Sequence, residues 1–125
     1  GLSDEDLQGK AWHIAEPYFR QRKEQAAAEF HEGLAKGRAG HALKEVLTAA
    51  FQGRIATLFV PVGVHRWGRF RFEELALEEH DAEQPGDDEL LDLAAMQTLM
   101  HAGTVYGLAP ADIPGGHLLA AVYRF

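Results

Sequence analysis

The sequence predicts an α/β fold, a single-domain α/β/α sandwich with a mixed sheet of about five strands. Apolar residues follow helical spacing up to about residue 52, then form continuous and alternating runs typical of strands, and return to helical spacing near residue 90. The length of 125 residues suits one ordinary domain. We therefore expect residues 1–125 to form one domain, with a leading helical segment at 1–37 and a core at 40–125.

The first part of the chain is predicted to be helical. Ser3 has the sequence context of a helix N-cap, and Pro17 either kinks the first helix or begins a new one at its first turn. Gly37 is the expected end of this segment. A second helix is predicted at residues 41–52, and Gly53 is expected to end it.

Three segments are predicted to be strands of the main sheet. Residues 55–60 form a continuous apolar run with β-branched side chains, which is typical of a buried central strand. Residues 104–108 form a short strand after Gly103. Residues 118–125 form a closing strand, after a loop at residues 110–116.

Residues 66–72 alternate between two faces, and the apolar face continues after a turn near residue 74. This pattern predicts a β-hairpin. One face of its first strand carries Trp67, Arg69 and Arg71. Both arginines are placed to pair across the strands with Glu74 or Glu78.

A third helix is predicted at residues 87–102, with three acids in its first turn, where the helix dipole favours negative charge. Leu, Ala and Met surround most of its circumference, so this helix is expected to be well buried. With Leu75 before it and Val105 after it, the helix is predicted to form a strand-helix-strand crossover.

The net charge of -7 is concentrated in one segment. Residues 78–89 hold seven of the 19 acids and no Lys or Arg, so the other 12 acids balance the 12 bases. The residues outside this segment have no net formal charge, so they do not form an extended basic surface for nucleic acid. A local basic patch remains compatible with this composition. The acidic segment lacks the alternating ligands and fixed glycine of a calcium loop, and we expect a solvated, mobile loop.

The sequence indicates no catalytic, cofactor-binding or metal-ligating residues. Its seven histidines are scattered without a His-x-x-x-His pair, and there is no cysteine. The glycine pair before His117 is interpreted as a tight turn. The best candidate contact patch is formed by Trp67, Arg69 and Arg71, because arginines hold phosphates and tryptophan stacks on bases. The alternative interpretation of this patch is a salt-bridged strand face.

Two stretches of the sequence resemble a known family. The first, AFQGRIATLFV at residues 50–60, joins the second helix to the central strand; the second comprises AGTVYGL at 102–108, a PGG turn and LAAVYRF at 119–125. Their order resembles the third, C-terminal domain of archaeo-eukaryotic release factor subunit one and of Pelota. RWGRF at 66–70 and DELLDLAA at 88–95 resemble more specifically the bacterial archaeo-eukaryotic release factor family. The resemblance covers residues 40–125 well and the first helix more loosely.

The resemblance implies a fold shared with ribosomal proteins that bind kink-turn RNA, and a chain that is a C-terminal fragment of a longer protein. In that family the third domain docks a translational GTPase, while the Gly-Gly-Gln loop that triggers peptide release lies in another domain. The resemblance therefore implies a non-catalytic interaction domain that docks to the ribosome or to a translational GTPase, with ribosomal RNA as a further contact.

The remaining expectations concern location and the alternative functions. No apolar run approaches the roughly 20 residues of a membrane span, and no signal peptide opens the chain, so we expect a cytoplasmic protein without a membrane or DNA partner. One alternative function is a structured-RNA-binding domain, which the acidic balance disfavours. The other is a small metal-assisted hydrolase, which the lack of a convergent nucleophile, base and orienting group disfavours.

Overall fold

A computed structural model describes residues 16–125 of the protein, with side chains from residue 23 onwards, so the predicted cap at Ser3 lies outside the described residues. In chain order, the helices and strands are α1 (Glu16–Lys36), β1 (Ala39–Gly40), α2 (Leu43–Phe51), β2 (Ile55–Pro61), β3 (Trp67–Arg71), β4 (Ala76–His80), β5 (Asp88–Glu89), α3 (Leu90–Met100), β6 (Thr104–Leu108) and β7 (Ala120–Tyr123). None of the described helices is long and apolar enough to cross a membrane.

The helices α1 and α2 end where the sequence predicts. Gly37 and Gly53 follow them with φ angles of 72° and 70°, the left-handed conformation that commonly ends a helix. Pro17 lies in the first turn of α1, where its missing N–H removes no intrahelical hydrogen bond.

The main sheet contains four strands in the order β1-β7-β2-β6. Strand β2 is parallel to β6 and antiparallel to β7, so the sheet is mixed. The predicted central position of residues 55–60 is confirmed, because β2 has a partner on each side. Its apolar run follows from this position, since a strand covered on both faces needs apolar side chains in both directions.

Helices cover both faces of the main sheet, which confirms the α/β/α sandwich. Leu58 of β2 belongs to a core formed with α2 and α3, whereas the next residue, Phe59, belongs to a core formed with α1. Both side chains are fully buried. Successive strand residues point to opposite faces, so one strand supplies both cores.

A second sheet has three strands in the order β4-β3-β5 and lies in the connection between β2 and α3. The predicted hairpin is formed by β3 and β4, in which Arg69 lies opposite Glu78. Phe70 packs against the α2–α3 core, and its ring lies 5.4 Å from that of Phe51. The strands of the protein therefore divide between two sheets.

The predicted strand-helix-strand crossover from Leu75 to Val105 is wrong. Strand β4 lies in the small sheet, and the parallel neighbour of β6 in the main sheet is β2. The composition of β4 explains the difference, because Glu78 and Glu79 are exposed and do not suit a parallel strand that is covered on both faces.

The predicted start of the third helix at residue 87 is also wrong, since α3 begins at Leu90. Asp88 and Glu89 form β5, which pairs with β3. Glu89 is the N-cap, and its carboxylate accepts hydrogen bonds from the backbone N–H groups of Leu91 and Asp92. These are two of the donors that the first turn of a helix leaves unpaired.

The ends of α1 and α3 provide a matched test of backbone strain. Ala102, just after α3, has a left-handed φ of 64°, and Gly37 takes the same conformation after α1 with open space where a Cβ would lie. We expect Ala102→Gly to raise the free energy of unfolding by about 0.5–1 kcal/mol and Gly37→Ala to lower it by about 1 kcal/mol. Urea denaturation measures both changes. If the two substitutions changed the free energy of unfolding in the same direction, this description of the helix ends would be contradicted.

Candidate interaction surface

An apolar groove lies between the outer side of α3 and the end of β2. It has a volume of about 530 Å³ and includes two residues of β6 in its wall. The described residues that line it are Val60, Pro61, Val62, Gly63, Val64, His65, Glu89, Leu91, Asp92, Ala95, Met96, Leu99, Val105 and Gly107. The groove thus combines a loop, a helix and a sheet edge.

Glu89 fixes the loop wall of the groove against the helix wall. In addition to capping α3, its carboxylate accepts a hydrogen bond of 2.9 Å from the backbone N–H of Arg66. The backbone N–H of Leu90 donates to the carbonyl of Arg66 at 2.7 Å. A single side chain therefore holds both the start of α3 and the end of the loop at residues 62–65.

The outer side of α3 is apolar and exposed, so the prediction that this helix is well buried is wrong. Leu90, Leu91, Ala94 and Thr98 face the core, but Met96, Leu99 and Met100 are 50%, 59% and 69% exposed. The helix has more apolar positions than one packed stripe needs. That excess was the signal in the sequence for a surface of this kind, although the sequence could not show which positions face outward.

Val62 extends this exposed apolar surface across the groove, being 59% exposed on the loop after β2. The ionisable side chains among the described residues of the lining are His65, Glu89 and Asp92. His65 Nδ1 lies 3.7 Å from Glu89 Oε1, and Asp92 is exposed at the rim. The described lining contains no Lys or Arg, so its fixed charge is negative.

The predicted contact patch lies on β3, where alternation places Trp67, Arg69 and Arg71 on one face. Arg71 lies 3.6 Å from Glu74, one of its two predicted partners, but within the turn that follows β3 and not across the strands as predicted. Trp67 is half-buried, and its ring lies 5.8 Å from that of His65. Alternation along β3 thus places the three residues on one face of the strand, and their role as a contact patch stays a prediction.

Arg69 does not pair with Glu78, although the two residues lie opposite each other in the hairpin. Its guanidinium donates a hydrogen bond of 2.6 Å to the carbonyl of Pro85, and its Nε lies 3.5 Å from Asp87 Oδ1. The guanidinium is thus turned toward the segment that follows β4. Both arginines of the patch are compensated by carboxylates, which lowers the net positive charge that they offer to a phosphate.

The expectation that residues 78–89 form a solvated loop is wrong at Asp87. The side chain of Asp87 is fully buried and is hydrogen-bonded to His80 Nδ1 at 2.7 Å and to the backbone N–H of Gln84 at 3.0 Å. The first residues of the segment also belong to β4. His80 and Gln84 belong to the same segment, but only the fold of the hairpin directs them toward Asp87, so the segment's composition alone could not reveal these contacts.

His80 lies between two carboxylates. Its Nε2 is 3.1 Å from Glu78 Oε1, while its Nδ1 bonds Asp87. Hydrogen bonds to Asp87 and then to Glu78 raise the pKa of His80 above its usual value of 6.5. Burial by itself would raise the pKa of Asp87, but its bonds from His80 and Gln84 and the charges of His80 and Arg69 outweigh burial and lower it.

Two further histidines connect the short segment between β1 and α2 to the turn before β7. The rings of His41 and His117 stack with centroids 3.7 Å apart, and burial lowers the pKa of His117, helped by the nearby His41 and His31. Gly115 and Gly116 have φ angles of 75° and 71°, which confirms the tight turn.

Within the part of the chain whose side chains are described, no group of three or more His, Asp or Glu side chains could hold a metal ion.

Comparisons with known proteins agree with the fold described above. Residues 1–54 match the family described as bacterial archaeo-eukaryotic release factor family 3. The C-terminal domain of a peptide chain release factor from Methanosarcina mazei is 12% identical, with a TM-score of 0.62, and the match covers all of this chain and 98% of that one. No curated protein matches the chain in sequence.

The crystal structure of Pelota from Archaeoglobus fulgidus is also similar. It is 22% identical, with a TM-score of 0.57 over all of this chain and 38% of that one, so this chain spans well under half the length of that Pelota. Identities this low show a shared fold. The family match lies in residues 1–54, whereas the resemblance was expected to be closest over residues 40–125.

The buried His80–Asp87 contact predicts a pH dependence of stability. A histidine whose pKa is raised by folding stabilises the protein fully below its unfolded pKa and loses that contribution as the pH rises through the raised, folded pKa. We expect the free energy of unfolding to fall as the pH rises above about 6.5. In His80→Gln, which keeps a side-chain donor but cannot titrate, that decline should be reduced.

Urea denaturation at several pH values between about 6 and 8 measures this slope. The control is His101→Gln, which removes an exposed histidine at the end of α3. If the curves of the native protein and of His80→Gln remain parallel across this range, His80 does not stabilise the fold in its charged form.

Proposed function

We propose that this chain, which shares the fold of a release-factor C-terminal domain and matches a release-factor family model over residues 1–54, acts in translation as a non-catalytic docking domain that binds the ribosome or a translational GTPase. The fold supports a role in the translation machinery in general. The exposed apolar groove beside α3 supports the more specific docking role, and it is the observation on which this proposal depends.

The groove suits a protein partner. Large apolar side chains exposed together around a concave surface mark interaction sites, because their burial by a partner removes them from water. Met96, Leu99 and Val62 lie together around one groove and are each at least half exposed. The negative charge of Asp92 and Glu89 at the same groove disfavours the phosphate backbone of RNA. We therefore assign the groove to a protein surface of the ribosome or of a GTPase.

Placing a carboxylate in the groove tests this proposal. In Leu99→Glu and Met96→Glu, docking would bury an unpaired charge, so we expect binding to weaken by at least roughly tenfold. Co-sedimentation with bacterial ribosomes at two salt concentrations and affinity capture of a purified translational GTPase measure the effect. Leu34→Glu is the matched control, because Leu34 is a partly exposed leucine of a helix, outside the described groove lining.

Two results would contradict the proposal. One is that the native chain binds neither ribosomes nor the GTPase at low salt. The other is that all three glutamate variants bind as tightly as the native chain, which would place the docking surface elsewhere. Loss of binding in Leu34→Glu alone would point to the opposite side of the main sheet.

We further propose that Trp67, Arg69 and Arg71 contact ribosomal RNA once the domain is docked. The supporting observation is that one strand face presents an indole and two guanidinium groups, of which that of Arg71 is exposed. Because Glu74 and Asp87 compensate these arginines, the contact should be weak and sensitive to salt.

A gel shift with a fragment of structured ribosomal RNA tests this second contact. We expect Arg71→Glu to weaken the shift severalfold, because it replaces a phosphate-binding group with a repelling one. Lys44→Glu makes the same charge change at an exposed position of α2 and should have a smaller effect. Equal effects of the two variants would show that only net charge matters and would remove β3 as a specific contact.

A further inference from the structure

We propose that the edge of β6 that faces away from β2 binds an extended segment of the docking partner by strand addition, and that this segment alternates apolar and basic side chains. The proposal rests on the docking role above, because it specifies how the partner occupies the groove. It is drawn from the backbone of β6, from the two surfaces on either side of that strand, and from their charge.

The backbone of β6 has an unpaired side in the part of the chain that the structure describes. Strand β6 is the last strand in the order of the main sheet, and β2 is its one described neighbour. The carbonyl of Leu108 accepts from the N–H of Val62, on the side of β2. Because backbone groups alternate along a strand, Val105 and Gly107 direct their N–H and C=O groups away from β2.

Strand β6 also lacks the features that prevent edge pairing. Natural edge strands are commonly interrupted by charged residues, proline or bulges, which keep other strands away. The five residues Thr104–Leu108 contain no charge and no proline, and they pair with β2 in unbroken register. An added strand could therefore hydrogen-bond to Val105 and Gly107 as the peptide ligands of other sheet proteins do.

Two different surfaces flank this edge. Val105 and Gly107 line the apolar groove beside α3, whereas Thr104 and Tyr106 line a second pocket of about 150 Å³ on the α1 side. The other described residues that line this pocket are Gln25, Ala26, Glu29 and Thr57. A segment lying along β6 would direct alternate side chains to opposite sides. One set would contact the apolar groove and the other set would contact the smaller pocket on the α1 side.

The charge of the two surfaces selects the side chains of the partner. Glu29 is exposed in the smaller pocket and Asp92 at the rim of the groove, and neither described lining contains Lys or Arg. The apolar groove is large enough for Leu- or Phe-sized side chains. The fitting segment therefore has large apolar residues toward α3 and Lys or Arg toward Glu29.

A second copy of this chain fits less well. Its own β6 would offer Val105 and Gly107 to a groove of about 530 Å³, which these small residues cannot fill. It would also offer no cation to Glu29, because β6 contains no charged residue. Charge and volume together favour a different protein.

Synthetic peptides test the proposal directly. The probes are nine-residue peptides of alternating Leu and Lys, of alternating Leu and Glu, and the Leu-Lys peptide with N-methyl groups on every second residue. With the full chain labelled for NMR, we expect the Leu-Lys peptide to bind and to slow amide exchange at Val105 and Gly107. The other two should bind at least roughly tenfold more weakly, because the Leu-Glu peptide is repelled and the N-methylated peptide has lost the N–H donors of one edge.

Substitutions in the chain complete the test. Gly107→Pro removes one outward N–H and leaves the bonds toward β2, as proline on an edge strand usually does, while Gly107→Ala keeps that donor. We expect Gly107→Pro alone to lose the Leu-Lys peptide. Glu29→Lys alters an exposed residue of α1 and should reverse the preference between the Lys and Glu peptides, so the proposal stays testable even if Gly107→Pro fails to fold.

The outcomes separate this proposal from the docking role. If the groove variants lose the ribosome or the GTPase but Gly107→Pro binds normally, docking stands and strand addition is overturned. If neither partner binds but the Leu-Lys peptide protects Val105 and Gly107, strand addition stands and the docking role fails. Equal binding of all three peptides, binding to none, or self-association through β6 would overturn strand addition.

Discussion

The register of β2 is the constraint on which the rest of the structure depends. This strand is paired on both sides, and its adjacent residues Leu58 and Phe59 enter different cores. A slip of one residue would exchange the two side chains between the cores and place an aromatic ring where α2 and α3 pack. The irregularity between Ile55 and Thr57 is confined to the pairing with β7, so the pairing with β6 remains regular.

A parallel pair such as β2 and β6 requires a long connection, because the chain must return to the end of the sheet where it started. The protein fills this connection with the small sheet and α3. One side of α3 completes the core beneath β2, and the remaining apolar side lines the groove. The same connection that makes the parallel pair possible therefore also builds the candidate interaction surface.

Local patterns in the sequence predicted those elements whose neighbours are near in sequence or whose burial is complete. The apolar run at 55–60 can be stable only as an interior strand, and Gly37 and Gly53 mark helix ends through their own backbone preference. The alternation at 66–72 identified the hairpin and the shared face of Trp67, Arg69 and Arg71. Each of these predictions needed no knowledge of distant contacts.

The remaining features depend on contacts that form only when the chain is folded. Asp87 was assigned to a solvated loop because the sequence does not show that His80 and Arg69 surround it. The exposed side of α3 was expected to be buried because apolar composition does not tell a core contact from a surface that awaits a partner. For the candidate site, the sequence therefore indicated the residue types but not the groove that they form.

The small sheet enters and leaves the rest of the protein at one point, where the N–H of Leu90 meets the carbonyl of Arg66. Segments whose two ends lie side by side can change in length without moving the scaffold that carries them. Shortening is constrained by Phe70 and Leu77, which both pack against the α2–α3 core. We therefore expect the length of the connection between Arg66 and Leu90 to vary among relatives. The same connection is a suitable position for grafting a foreign loop onto the domain.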